Sequence, residues 1–394
     1  MLFCVATLAA LSSAALPGQR DALMSLFRDT GGATTWIKTD GWGAGDPCGP
    51  PAWHGVQCRA GAVIALKLRR NGLDGAIPAA LGGLGPGLQA LTISENVRGW
   101  FVDDPELLHG LHPCQAYAEL KAGTATRDSV HLADTSLLGK HSEYSKARTG
   151  GRVYQCKFFG GTVNGPLPAL ALAQLTGLRL LDLNNNRLSG TVGESVSALR
   201  DLRILQLDGN ALGGELPGSL GGLARLQQLR ADENHMSGPL PPQLGRLQHL
   251  RFLWLNGNRF TGTLPAAWGG LASVKFIDVS DNTLSGGVPK TFAKLKELRH
   301  LEMHSGDDTD GNKWSEAHAD HEALLELKHL VLLTMNIPRS KMHPKLHKAH
   351  FEHQPADDRA DIAAIIAHLH DSSFFAFGKK EDSARPLVDA AGGP

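Results

Sequence analysis

Five asparagines recur at a fixed interval of 24 residues through the middle of the chain. They are Asn186, Asn210, Asn234, Asn258 and Asn282. Apolar residues stand three and five positions before each of them, an alternation typical of a short strand with one buried face. Because an asparagine side chain can donate to and accept from backbone groups, it suits the turn after such a strand. The interval therefore predicts stacked strand-and-turn units joined by an inward-pointing asparagine ladder.

Glycine and proline follow each asparagine at fixed distances. A glycine comes four residues later in every unit, at Gly190, Gly214, Gly238, Gly262 and Gly286. A proline comes three residues after that glycine in four units, and Gly193 takes its place in the first. These residues favour an extended or irregular return segment over a long helix. A unit this short cannot enclose its own leucines, so neighbouring units must stack to bury them.

These repeats resemble the plant-type leucine-rich-repeat family, whose consensus is LxxLxLxxNxLxGxIPxxLxxL. The segment from Leu202 to Pro217 carries the pattern, and earlier copies surround Asn71 and Asn96. The resemblance implies an α/β solenoid, a right-handed, horseshoe-shaped superhelix. Short parallel strands are expected on its concave face, and irregular or 3-10 segments on its convex face. About ten repeats are expected over residues 63–336.

The repeat phase is interrupted in two places. Residues 97–152 form an insertion without the motif, and the next strand of the solenoid is expected at residues 153–158, with Cys156 in place of a leucine. In the repeat that begins at Leu298, Gly306 stands where the ladder asparagine belongs. Terminal repeats are often atypical because they close the core.

Residues 16–62 resemble the N-terminal cap of the same family. An apolar helical face is followed by three tryptophans, the last of them in the element Trp53-His-Gly-Val56. In the family, the two cysteines that flank this element form a disulfide, which implies a bond between Cys48 and Cys58. The tryptophans are interpreted as bulky residues that seal the first coil.

The C-terminal residues 337–394 are expected to form a cap and a tail. Their clearest feature is one apolar helical stripe made of Ile362, Ile365, Ile366 and Leu369. An open solenoid end needs covering, so docking of this stripe as a cap is the first interpretation. Binding of a partner through the same stripe is the alternative.

The N-terminus predicts export from the cell. Residues 1–15 combine an apolar stretch with small residues, a pattern typical of a signal peptide cleaved before Leu16. Four cysteines then remain, an even set compatible with two disulfides: Cys48, Cys58, Cys114 and Cys156. The second bond would join Cys114 to Cys156, although Cys156 also suits a buried apolar position in a strand. We therefore expect an extracellular protein.

The net charge and the sequence motifs limit the classes of function that this chain can have. The chain has 39 basic and 39 acidic residues, so no net charge draws it to nucleic acid. Beyond the N-terminus, no segment has the roughly 18 uninterrupted apolar residues of a membrane span. No GxSxG, HExxH, P-loop or kinase motif specifies an enzyme, and we expect no cofactor. The resemblance implies a secreted, non-enzymatic recognition module whose partner is a protein, a peptide or a glycan.

The outward strand positions hold the chemical identity of the concave face, because leucines fill the inward ones. The expected ligand site consists of Arg230, Phe252, Trp254, Phe276 and Asp278. Its three aromatic residues should cluster on adjacent strands, exposed as anchors for a partner. The outward Gln206 should likewise face water. The alternative is that the insertion or the tail covers this patch.

The insertion is a second candidate for recognition. It contains aromatic residues, among them Trp100, Phe101, Tyr117 and Tyr144. Loops grafted on rigid scaffolds often bind partners. A surface insertion without any ligand is the other interpretation, because loops tolerate added length at little cost in free energy.

Histidines supply the alternative function. Eleven of the eighteen lie between His300 and His370, and four of these share the spacing of one helical face: His343, His347, His350 and His353. Such a group can ligate zinc or another transition metal. A metal-binding or hydrolytic protein that uses the histidine-rich C-terminal third is therefore the second hypothesis. Histidine rows without an anchoring second shell are weak indications of a metal, so no metal ligands are assigned.

The signal-peptide interpretation predicts the start of the mature protein. N-terminal sequencing of the chain recovered from culture medium should begin near Leu16, because the small residues before it suit the cleaving peptidase. Extracellular material that retains an intact Met1 would contradict the prediction.

Overall fold

The stacked units form a solenoid in this computed structural model. The structure describes residues 16, 18–96, 99–102, 144–149, 152–159, 162–305, 311–315, 318–330 and 332–334. One turn of the solenoid consists of a three-residue strand, a tight turn, a short extended segment and a 3-10 helix. The predicted repeat solenoid with parallel strands and 3-10 segments is confirmed.

A sheet of ten strands runs the length of the solenoid. In spatial order its strands are Val56–Arg59, Ala62–Lys67, Ala90–Thr92, Leu180–Asp182, Ile204–Gln206, Gln228–Arg230, Phe252–Trp254, Phe276–Asp278, His300–Glu302 and Leu332–Thr334. The first two pair antiparallel and all later neighbours pair parallel. Corresponding repeat positions face each other, so that Leu205 lies opposite Leu181 and Leu229. Side chains therefore form columns across the sheet.

Shorter parallel strands follow the turns on another wall. A three-stranded sheet contains Gly75–Ala76, Val163–Pro166 and Arg187–Ser189, and a five-stranded sheet contains Gly213–Gly214, His235–Pro239, Arg259–Thr263, Thr283–Gly286 and Lys313–Trp314. The 3-10 helices are Ala79–Leu84, Glu194–Ala198, Gly218–Gly222, Pro242–Arg246, Ala266–Gly270, Lys290–Lys294 and His318–Glu326. Two α-helices are described, Gln19–Asp29 and Ala169–Gln174. Proline or glycine precedes most 3-10 helices, which keeps each of these return segments short.

The helix Gln19–Asp29 closes the N-terminal end. Its apolar face is buried, and Phe27 contacts Trp36 and Trp42 with ring centroids 5.1 and 5.5 Å away. Cys48 and Cys58 form a disulfide with a Cα–Cα distance of 5.6 Å. The cap thus combines an aromatic cluster with a covalent link.

The ladder asparagines join each repeat to the one before it. Asn234 is buried, and its Nδ2 donates to the carbonyl of Leu207 in the preceding repeat and to the carbonyls of Ala231 and Asp232 in its own. Its Oδ1 accepts from the backbone N–H of Leu212, 3.0 Å away. The same arrangement recurs at Asn210, Asn258 and Asn282. One side chain therefore satisfies backbone groups of two repeats.

The residue before each ladder asparagine has a left-handed backbone. The φ angle is 48° at Asn185, 51° at Glu233 and 49° at Asp281. Glycine takes this position in the other two repeats, as Gly209 and Gly257. Glycine, asparagine and aspartate tolerate this conformation best, so the sequence of the turn matches its geometry at most repeats.

The ladder after the strand His300–Glu302 differs from the prediction. Gly306 lies outside the described residues, and Asn312 takes the ladder role instead. Its Nδ2 donates to Val279 and Met303, and its Oδ1 accepts from the N–H of Leu284, 2.9 Å away. This ladder residue thus comes six residues later than the 24-residue interval predicts, so the interval alone does not locate it.

The strand predicted at residues 153–158 is present but belongs to a different sheet. Arg152–Phe159 pairs antiparallel with Gly99–Val102 and Tyr144–Thr149. The ten-stranded sheet passes from Ala90–Thr92 to Leu180–Asp182 without it. The prediction was wrong because a period-2 pattern indicates a strand without indicating its partners.

The repeat interrupted by the insertion resumes later than predicted. The N–H of Val163 donates to the carbonyl of Asn96, 3.0 Å away, so the two ends of the insertion meet. Val163 is fully buried at the position of a repeat leucine. The repeat pattern therefore resumes at Val163.

Several predictions concern residues outside the described ranges. These are the signal peptide at 1–15, the cap and tail at 337–394, and the Cys114–Cys156 bond. The segment boundaries given above also stay predictions. None of the helices that the structure describes is long and apolar enough to cross a membrane.

Replacing a ladder asparagine should destabilise the fold strongly. Asn234→Ala leaves the Leu207 carbonyl and the Leu212 N–H buried with a partner lost, so the free energy of unfolding should fall by about 2 to 4 kcal/mol. Urea denaturation followed by circular dichroism measures the change. The matched control is His235→Ala, at the exposed neighbouring position. Equal urea midpoints for the two variants would show that the ladder contributes no stability of its own.

Candidate functional site

The outward side of the ten-stranded sheet is called the strand face here and is the predicted concave face. Residues two apart on a strand point to the same side, so the positions six, four and two before each ladder asparagine form three columns. In the repeat of Asn234 these are Gln228, Arg230 and Asp232. Parallel pairing in register places equivalent residues of successive repeats side by side.

Four rings form a continuous row across the C-terminal half of the strand face. We call this set the aromatic stripe: Phe252, Trp254, Phe276 and His300. Ring centroids lie 5.6 Å apart for Phe252 and Trp254, and 5.0 Å apart for Trp254 and Phe276. His300 continues the row 6.0 Å from Phe276. The three aromatic residues expected to cluster are therefore adjacent.

The expected exposure of these rings was wrong. Trp254 is 7% exposed and Phe276 is 5% exposed, whereas Phe252 is only partly buried. Ring neighbours on adjacent strands cover part of each surface, and the guanidinium of Arg230 lies 5.2 Å from the Trp254 ring centroid. Gln206, expected to face water, is buried as well. Period-2 alternation specifies the side of the sheet but not the exposure of a side chain.

Acidic residues dominate the neighbouring repeats toward the N-terminus. Arg230 contacts Asp232 at 3.1 Å and Asp208 at 3.3 Å. Asp182 lies nearby and accepts from the hydroxyl of Ser94, 3.0 Å away. We call the set of Asp182, Asp208, Arg230 and Asp232 the acidic pocket. Three carboxylates and one guanidinium therefore lie on three successive repeats.

The charges of the acidic pocket are poorly compensated. Burial raises the pKa of Asp208 to about 7, against the opposing effect of Arg230, and Asp232 raises it further. Burial also raises the pKa of Asp182 to about 6, although hydrogen bonds from Asn184 and Ser94 favour its ionised form. Burial opposes the charge of Arg230 too, but Asp208 and Asp232 raise the pKa of its guanidinium. Arg230 thus stays charged, whereas burial disfavours the ionised forms of Asp182 and Asp208.

Acceptor oxygens beside this pocket lack donors. Within the described part of the chain, three strand-face side-chain oxygens are buried without a hydrogen-bond partner: Asp208 Oδ1, Gln228 Oε1 and Asn256 Oδ1. Asp208 is 4% exposed and Gln228 is 3% exposed. An unmet buried acceptor costs about 1 to 3 kcal/mol, so one on each of three successive repeats is unusual for a surface whose only role is packing.

Asp278 lies on the same strand as Phe276 of the aromatic stripe. Its Oδ1 accepts from the Ser280 hydroxyl at 2.6 Å and from the Ser280 N–H at 2.9 Å. Burial raises its pKa to about 7, Glu302 adds to the increase, and the Ser280 bonds and His304 oppose it. The predicted site residues Arg230 and Asp278 lie on opposite sides of Trp254, which pairs in register with both.

Sequence reasoning missed most of the acidic pocket. Asp182, Asp208 and Asp232 were visible as outward residues, but only Arg230 was assigned to the site. The available signal was the number of aspartates in two adjacent columns around a single arginine. Burial, which makes these aspartates chemically unusual, has no counterpart in the sequence.

A metal centre is not apparent among the described residues. They contain no group of three or more histidine, cysteine or carboxylate side chains arranged to hold an ion. Most of the histidines behind the metal hypothesis lie outside the described ranges, including His343 and His347. The described His304 contacts the hydroxyl of Thr334, 3.1 Å from its Nδ1.

Comparison with known proteins identifies the class. Leucine-rich-repeat family models match residues 176–236 and 249–271. None of the curated proteins compared with the chain matches it. The matched repeats and the solenoid give this chain a leucine-rich-repeat fold that resembles the ectodomains of plant receptor kinases.

Solved structures support the same fold. The ectodomain of the Arabidopsis thaliana membrane receptor kinase GASSHO1/SCHENGEN3, in complex with CASPARIAN STRIP INTEGRITY FACTOR 2, matches with a TM-score of 0.56 and 22% identity over 80% of this chain and 29% of that one. The PEPR1–AtPEP1 structure matches with a TM-score of 0.54 and 19% identity over 81% of this chain and 41% of that one. This chain thus spans less than half the length of either. A plant ice-binding protein aligns over 82% of this chain and 86% of that one at 23% identity, but its TM-score of 0.46 is too low to support an argument about function.

Neutralising Asp278 should make stability less dependent on pH. Its folded-state pKa lies above its unfolded value, so ionisation destabilises the fold as pH rises from about 4 to 7. Asp278→Asn should therefore be more stable than wild type by about 2 to 4 kcal/mol at pH 8 and nearly equal to it at pH 4. Urea denaturation at both pH values measures the difference. The control is Asp281→Asn at an exposed position, and a pH-independent gain in the Asp278 variant would contradict the stated cause.

Proposed function

We propose that this protein is a secreted recognition module that binds a protein or peptide ligand along its strand face. The observation that carries the proposal is the continuity of two features on that face. Phe252 and His300, the partly exposed rings of the aromatic stripe, provide apolar and π surface, and the unpaired acceptors of Asp208, Gln228 and Asn256 lie on three successive repeats that end at the repeat of Phe252. A fold without a ligand gains nothing from buried acceptors that lack donors.

The geometry favours an extended ligand that crosses several strands. The two features occupy successive repeats, and neighbouring strands are about 4.8 Å apart, so several ligand residues are needed to contact both. Aromatic side chains and arginine are the residues enriched at binding hot spots, and Arg230 stacks on Trp254 at their junction. A peptide backbone supplies donors along its length, which suits acceptors that lie on three successive repeats.

Secretion is proposed from two features of the N-terminal part. The disulfide between Cys48 and Cys58 is of a kind that persists in oxidising compartments. The apolar N-terminal stretch ahead of Leu16 has the pattern of an export signal. Together they favour an extracellular site of action, where a ligand-binding solenoid would meet secreted partners.

Removing two rings of the aromatic stripe should abolish ligand binding. The purified protein, coupled to beads, is incubated with the extracellular protein fraction of the cells that produce it, and retained proteins are identified by mass spectrometry. Trp254→Ala combined with Phe276→Ala should lose any partner that wild type retains, because aromatic anchors commonly contribute about 2 kcal/mol or more each. Direct titration with the identified partner then gives the change in Kd.

The matched control is Thr261→Ala combined with Thr263→Ala, at exposed positions of the strand Arg259–Thr263 on the other wall. Undiminished retention by the aromatic double variant would exclude the strand face and redirect attention to the insertion after Asn96. Circular dichroism and a urea midpoint are measured for each variant. A double variant that fails to fold would show that these rings serve the core, so Phe252→Ala, at a partly exposed ring of the stripe, is tested in parallel.

A further inference from the structure

The acidic pocket has an excess of negative charge at a defined atom. Asp208 uses Oδ2 to contact Arg230, whereas its Oδ1 is buried and has no partner among the described residues. Arg230 is already shared with Asp232 at 3.1 Å and so cannot neutralise both aspartates. Asp182 adds a third carboxylate, held by Ser94.

A ligand group that satisfies Asp208 Oδ1 must donate a hydrogen bond, because this atom is an acceptor. Gln228 Oε1 is a second one, independent of the carboxylates, and the residue is 3% exposed. An additional positive charge would compensate Asp208 and Asp182, whereas a neutral hydroxyl of a glycan would supply a donor without the charge. A charged N–H donor bonds a carboxylate about twice as strongly as a neutral one.

The fixed position of Arg230 adds a geometric reason. Its guanidinium lies against the Trp254 ring and bonds Asp232 through Nε and Nη2, so it is held in place rather than free to turn toward Asp208 Oδ1. Asp208 lies between the repeat of Arg230 and that of Asp182, so a second cation at Asp208 would have Asp182 as its other acidic neighbour. The neighbouring aromatic stripe would then contact the residues next to that cation.

We propose that the acidic pocket binds a guanidinium or ammonium side chain of the ligand, which makes the ligand a basic peptide segment that also presents an apolar residue to the aromatic stripe. This inference rests on the proposed function and specifies its ligand class. Lysine and arginine share the required chemistry, and arginine fits better because its planar fork can bond Asp208 Oδ1 and a second acceptor together.

The test begins with selection from a displayed library of random twelve-residue peptides on the purified full chain at pH 7.5 and low salt. Wild type should enrich peptides in which arginine or lysine lies within a few residues of an aromatic or large aliphatic residue. Failure to enrich any peptide would count against the proposed function itself. Enrichment without a basic residue would leave that function standing and overturn this inference.

The most enriched peptide is then synthesised and its Kd measured by calorimetry on matched variants. Asp208→Asn keeps the shape of the side chain and should weaken binding about tenfold or more, since it removes one partner of a charge-assisted bond. Asn256→Asp adds a carboxylate on the same face and should tighten binding. Thr261→Ala, at an exposed position on the other wall, serves as the unchanged control.

The pH profile separates a charge effect from a folding defect. Asp182 and Asp208, with pKa values of about 6 and 7, lose charge as pH falls from 8 to 5, so the affinity of wild type should fall over this range. The other charged groups that bear on them are Arg69, Glu95, Arg230 and Asp232. Asp208→Asn should show a flatter profile. An equally steep profile in that variant would overturn the assignment.

The alternative occupant of the acidic pocket is a basic segment of the chain itself. Residues 339–348, outside the described residues, contain Arg339, Lys341, Lys345 and Lys348. A variant with these four residues changed to glutamine should bind the selected peptide as wild type does. If it binds the peptide at least about tenfold more tightly, the chain's own basic segment competes for the pocket, and the assignment to a separate ligand is overturned.

Discussion

The asparagine ladder is the interaction on which the rest of the structure depends. A repeat of 24 residues has too little apolar surface to fold alone, so its stability comes from the interface with its neighbours. Each ladder side chain bonds the backbone of its own repeat and of the preceding one, as Asn234 does with Ala231 and Leu207. These bonds allow only one register between neighbouring repeats. Since a shift of one residue would reverse every side chain, the ladder also decides which residues reach the strand face.

The sequence was sufficient for the fold because the ladder is periodic. The spacing of asparagine, glycine and proline, with the alternating leucines, predicted stacked strand-and-turn units with short return segments, and the family resemblance implied the solenoid with 3-10 segments. It was insufficient where the period breaks. The strand Arg152–Phe159 has the right alternation but pairs with Gly99–Val102 instead of the main sheet, and Asn312 replaces Gly306 in the ladder after six extra residues. Both errors arise because pairing depends on contacts distant in sequence, which a local pattern does not encode.

The site was predicted less well, for a different physical reason. Counting the outward strand positions correctly placed Phe252, Trp254 and Phe276 next to one another. The prediction that these rings are exposed was wrong. Exposure and charge state are collective properties of several repeats. Burial raises the pKa of Asp208 against the opposing effect of Arg230, and Asp232 and Asp182, from the repeats on either side, add to the increase. Residue types name the candidates, whereas only the assembled sheet shows which of them are left without partners.

The ladder also explains how the chain accommodates its insertion. The N–H of Asn96 donates to Asn186 Oδ1 at 3.1 Å, and Asn186 Nδ2 donates to the Ile93 carbonyl at 2.7 Å, so the ladder continues directly across the interruption. The insertion leaves after Asn96 and returns at Thr162, where Val163 bonds back to Asn96. Among the described residues, the ladder bonds at this point join Asn96 directly to Asn186. The register that positions the strand face is therefore set by residues on either side of the insertion.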